Sequence, residues 1–137
     1  MLKIVYDTNV IVSAALKEKS LPALVLSLAL EGSVRMVISP ALMKEYEEVL
    51  NRPRLKLGQE EVKELVAKMK DKALMVKPRK ELKIFKQDMP DNRILECALK
   101  GKADFIITGN KKHFTFGEFR GTKIVTPREF INEMGKI

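Results

Sequence analysis

The chain has 137 residues, 45% of them hydrophobic and 32% charged, a balance that suits one folded domain over residues 1–137 and excludes a disordered or collagen-like polymer. Lys and Arg number 26 against 18 Asp and Glu, a net charge of +8 that favours a polyanionic partner, nucleic acid first. The single cysteine, Cys97, excludes an internal disulfide and a cysteine-rich zinc site; with no apolar run of leader or membrane-spanning type, the expected location is the cytoplasm, with no membrane partner.

Leu2–Tyr6 is too uniformly apolar to leave one face wet and reads as a strand of a parallel sheet. It stops on Asp7, after which Thr8 is expected to cap a helix through Leu16. A second helix is expected from Pro22 to Glu31, ended by Gly32, and a strand over Val34–Ile38. Ser39-Pro40 has the form of a cap followed by a first-turn proline, and the helix it opens should reach about Asn51 before Pro53 stops it. Gln59–Ala73 has helical spacing, Leu74–Val76 reads as a short strand, and Arg79–Pro90 has no clear pattern. Asp91–Lys100 is expected to be helical, with strands over Phe105–Thr108 and Lys123–Val125. Thr126-Pro127-Arg128-Glu129 repeats the capped start for a last helix to about Met134. Strands alternating with helices predict an α/β fold, a three-layer α/β/α sandwich around a mostly parallel sheet. Ligands of such sheets gather at the carboxyl ends of the strands, where Asp7 and Gly109-Asn110 fall.

A carboxylate at the mouth of a buried strand is either a turn or cap residue or a metal ligand, and the second role needs companions. On the Ser39-Pro40 helix the apolar stripe is Leu42, Tyr46, Val49 and Leu50; Glu45 lies at its margin, while Glu47 and Glu48 point further outward. Asp91 is in line with Ile94, Leu95, Ala98 and Leu99 and sits at a helix start, which also fits a plain N-cap after Pro90. Glu96 is expected to face away from this stripe. Asp104 precedes a strand, Asn110 follows it and offers an amide oxygen, and Asp88 is a loop-borne candidate. Converging carboxylates repel one another unless a cation joins them, and oxygen-only ligands indicate Mg²⁺ or Mn²⁺. His113, which could serve as a general base, reads rather as a structural or exposed histidine and Cys97 as a core residue, and no Walker-A or dinucleotide-binding glycine pattern is present.

Four stretches, IVYDTNVIVSAAL, SPALMKEYEEVLNRP, DNRILECALKGKADFIITGN and IVTPREF, together resemble the PIN-domain family. The similarity is to its single-domain prokaryotic branch of VapC-like toxins from toxin–antitoxin pairs. The resemblance implies a metal-dependent ribonuclease with an acidic pocket formed by Asp7, Glu45, Asp91 and Asn110. Asp7, Asp91 and Glu45 would hold Mg²⁺ or Mn²⁺, with Asp104 offsetting the asparagine at position 110, where many relatives carry aspartate. Thr8, Asn9 and Asn92 would support the carboxylates or touch phosphate, and Arg93, Lys111 and Lys112 would grip the RNA backbone. It further implies a homodimer silenced by a cognate antitoxin; the apolar helix Pro22–Leu30 offers a docking face, although core burial is expected for most of it. The other readings are a non-catalytic RNA- or protein-binding module and a Mg²⁺-dependent phosphotransfer domain using Asp7; the latter lacks the expected D-x-D-x-T pattern.

Overall fold

Ile4, Val5 and Tyr6 are buried to the last atom, as a strand covered on both faces requires. They belong to β1 (Lys3–Tyr6) of a computed structural model that describes residues 1–78, 90–110, 114 and 117–135, with Pro90 and Asp91 placed by their backbones alone. The remaining strands are β2 (Arg35–Ile38), β3 (Leu74–Met75), β4 (Phe105–Ile107), β5 (Glu118–Phe119) and β6 (Thr122–Val125). Among the described residues these six form one sheet in the order β3-β2-β1-β4-β6-β5. Every pairing is parallel except that of β5 with β6.

The helices are α1 (Thr8–Leu16), α2 (Leu21–Leu30), α3 (Pro40–Leu50), α4 (Gln59–Lys72), α5 (Pro90–Gly101) and α6 (Pro127–Met134), with a 3-10 turn at Pro53–Leu55. α1, α2 and α6 pack in succession, whereas α5 lies against β1, β2 and β4; the arrangement is that of a three-layer α/β/α fold. Local chemistry explains most boundaries. Ser20 and Ser39 accept hydrogen bonds from Ala23 N and Leu42 N, and Thr126 with Glu129 closes a full capping box.

Two local expectations change. Thr8 is the first residue of α1, whose N-cap is Asp7; the Thr8 hydroxyl reaches the Glu45 carboxylate instead of the helix backbone. The β5–β6 hairpin was not expected, because its two-residue loop is Arg120-Gly121. Both residues are left-handed, at φ 48° and 91°, the pattern of a tight hairpin turn in which Asn or Asp usually stands first. Arginine there hides the turn.

The chain adds β2 and β3 on one side of β1, then crosses to add β4 and β6 on the other. The order therefore reverses between β1 and β4, which opens a crevice at their carboxyl ends. On the sheet's flank, α5 comes so close to β2 that a Cβ on Gly101 would stand 2.5 Å from Val37 Cγ1. Gly101→Ala is accordingly expected to cost about 1–3 kcal/mol despite alanine's better helix propensity; urea unfolding measures it, and an unchanged midpoint would contradict this packing.

Candidate active site

Asp7 leaves β1 at the reversal point, its N–H donating to Ile107 O at 2.8 Å. Its carbonyl starts α1 by accepting from Val10 N and Ile11 N, yet its side chain makes no cap bond. The residue is 5% exposed, and its carboxylate accepts a 2.7 Å hydrogen bond from the Thr108 hydroxyl at the end of β4. A carboxylate spent on a plain cap would face the first turn of the helix; this one turns to Thr108 at the end of β4.

Glu45 comes from α3 and is half-buried, with Oε2 accepting from Thr8 Oγ1. Asp7 and Glu45 thus meet through consecutive residues, one oxygen of each carboxylate anchored by a threonine hydroxyl. Glu47 turns to Lys70 at 3.1 Å and Glu48 to solvent. Beneath them the Tyr46 phenol donates to Tyr6 O, and the Tyr6 phenol donates to Val25 O at 2.7 Å. Burial pushes the Tyr46 phenol well above its ordinary pKa, and Cys97, Asp7 and Glu45 add to the rise. The phenol therefore remains a hydrogen-bond donor.

The β4 end is tied down by neighbours. Thr108 Oγ1 accepts from Asn110 N at 3.2 Å, and Gly109 N donates to Asn9 Oδ1 at 3.1 Å. Asn9 thereby fastens α1 to the loop that carries Asn110, which is half-buried at the same end of the sheet as Asp7. Asp91 lies in the first turn of α5 and Asn92 beside it is fully buried; the Asp91 side chain is outside the described residues. So are Asp88, Lys111, Lys112 and His113.

Two expectations are corrected by this geometry. Asp104 stands at the opposite, amino end of the strands. Its Oδ2 accepts from Lys3 N at 2.8 Å and its carbonyl accepts from Lys123 N. From there to Thr108 is four residues, about 13 Å of extended chain, so Asp104 cannot share a cation with Asp7. Glu96 lies off the apolar stripe yet is not solvated; it is 6% exposed and pairs with Arg93 at 3.1 Å. α5 packs against α3 as well as the sheet, and burial of both residues favours pairing of the two charges. Arg93 accordingly holds Glu96 rather than standing out at a rim. Cys97 sits in the core as expected, its thiol pushed up to about 12 by burial, with a Ser39 hydrogen bond opposing; it is an inert thiol.

Thr108 and Tyr46 carry the site's support and were not anticipated as site residues. Thr108 looked like the last strand residue and Tyr46 like core. The signal in the first case was a hydroxyl directly after the buried run Phe105–Ile107, two residues before Asn110.

The donors here are carboxylate and amide oxygens, and anchoring one oxygen of a carboxylate from behind is how metal ligands are held. That donor chemistry fits a hard divalent cation such as Mg²⁺ or Mn²⁺. Among the described residues no group of three or more Asp, Glu, His or Cys side chains surrounds one point, Asp91 being beyond that description.

A family model described as PIN domain matches residues 3–112. The chain belongs to the PIN-domain family. PIN domains are generally nucleases, they usually use divalent metals, and their nucleases bind RNA. The chain is also similar to Uncharacterized protein MJ1680 of Methanocaldococcus jannaschii, 29% identical over 98% of this chain and 93% of the relative. No helix among this PIN domain's described residues is long and apolar enough to cross a membrane.

Proposed function

We propose that this PIN domain is a Mg²⁺- or Mn²⁺-dependent endoribonuclease that hydrolyses RNA phosphodiesters. The observation that carries the reading is the meeting of Asp7 and Glu45 at the β1–β4 reversal, each carboxylate anchored by a threonine hydroxyl. Asp7, Glu45 and Asp91 are the residues that would hold the cation, with Asn110 as an amide-oxygen donor beside them. When bound, a divalent cation polarises the phosphate and lowers the pKa of an attacking water. The chain's own contribution is positional. Thr108 and Thr8 orient the carboxylates, Asn9 fixes the loop of Asn110, and Asn92 supports the start of α5. Lys111 and Lys112 follow that loop in sequence and would meet the RNA backbone, a role that the net charge of +8 supports.

We extend the reading to the toxin of a toxin–antitoxin pair, a cytoplasmic homodimer restrained by a cognate antitoxin. A groove of ≈ 340 Å³, lined by Leu26 and Leu30 of α2 and Val62 and Leu65 of α4 together with Glu18, Glu61 and Lys68, supports a protein partner. The second reading, a module that binds RNA without cutting it, draws on Asn110, which lowers the negative charge of the pocket.

The test is cleavage of a mixed pool of structured and single-stranded RNAs in Mg²⁺, in Mn²⁺ and in EDTA, beside an Asp91→Asn variant. Cleavage in either metal, abolished by EDTA and by the variant, is expected. RNA bound but uncut in every condition would favour the non-catalytic module. A phosphoaspartate trapped at Asp7 would favour phosphotransfer.

A further inference from the structure

Glu45 and Tyr46 are neighbours on α3, and Tyr6 and Asp7 are neighbours on β1. The residue after one carboxylate is hydrogen-bonded to the residue before the other, through Tyr46 Oη donating to Tyr6 O. We propose that Tyr46 is a positioning residue that sets the separation of Asp7 and Glu45, and with it the affinity of the site for its cation.

Strand geometry shows why the bond is there. Leu2 O accepts from Arg35 N, so carbonyls of alternate residues, Leu2, Ile4 and Tyr6, point toward β2. The β1–β2 register pairs Ile4 with Met36, but β2 ends at Ile38 and the chain turns into α3. The Tyr46 phenol takes the carbonyl at the top of the ladder. Tyr46 is fully buried, where phenylalanine would fill the same space without needing a partner, so the hydroxyl is justified by the bond it makes. The Tyr6 phenol makes a second buried bond, to Val25 O of α2, but that bond does not join the two carboxylate-bearing elements. It is the internal control.

This inference rests on the metal-site reading above. Its test is Mn²⁺ affinity measured by calorimetry on the full chain without RNA, for the parent, Asp7→Asn, Tyr46→Phe and Tyr6→Phe, each below its own melting temperature. Tyr46→Phe is expected to weaken Mn²⁺ binding about tenfold, the lower end for losing a group that supports a ligand. Tyr6→Phe, which also loses one buried phenol bond, should melt earlier yet bind Mn²⁺ within twofold of the parent. Equal affinity in Tyr46→Phe and parent overturns the positioning role while leaving the metal site standing. Equal losses in both tyrosine variants overturn it too, because the effect is then general loosening. A parent that binds no Mn²⁺, indistinguishable from Asp7→Asn, removes the metal-site reading and this inference with it.

Discussion

Asp7→Asn is expected to reduce metal-dependent RNA cleavage by more than about a hundredfold, beyond the range for residues that only support a ligand, without destabilising the metal-free protein. The two effects part because of where Asp7 stands. Its side chain is almost entirely removed from water, where a neutral amide of the same shape is less costly to bury than a charged carboxylate. The asparagine amide keeps an oxygen for the Thr108 hydroxyl. Melting in EDTA should therefore show an unchanged or higher Tm, while cleavage in Mn²⁺ falls away. This combination marks a residue kept for chemistry at the expense of stability. A large fall in Tm that accounts for the lost activity would instead make Asp7 a structural residue.

Thr108→Val is expected to lower Mn²⁺ affinity by about 10–100-fold and stability by about 1–3 kcal/mol. Valine keeps the shape of threonine and deletes its hydroxyl. That hydroxyl donates to Asp7 Oδ2 at 2.7 Å and accepts from Asn110 N at 3.2 Å, so one change releases the first acid and the loop beyond β4 together. Thr108→Ser retains the hydroxyl and should keep most of the affinity. Calorimetric titration with Mn²⁺ and urea unfolding of the two variants separate the contributions; if Thr108→Val binds Mn²⁺ as the parent does, the hydroxyl has no part in orienting Asp7.

The expected strands and helices follow closely the ones that form, and the reason is local. The Ser39-Pro40 and Thr126-Pro127 starts are capping chemistry that acts within one turn. The unbroken apolar run of β1 is what burial on both faces of a parallel sheet demands. The hairpin of β5 escaped because Arg120 adopts a left-handed turn conformation that its residue type does not advertise. Glu96 is covered for a different reason. Helical spacing gives a residue's angle on its own helix, whereas α5 is covered by other elements on more than one side.

The sequence by itself determined the class of fold and the acids worth attention, because periodicity, caps and half-buried carboxylates are properties of short segments. The tertiary structure decided which of those segments meet. Thr108 and Asp7 lie 101 residues apart and share a hydrogen bond, and Lys3 and Asp104, equally distant in sequence, meet at the opposite end of the sheet. Both acids adjoin strands, and composition does not tell them apart. The direction in which β4 runs beside β1 does, since parallel pairing sends the residue before one strand and the residue after the other to opposite rims.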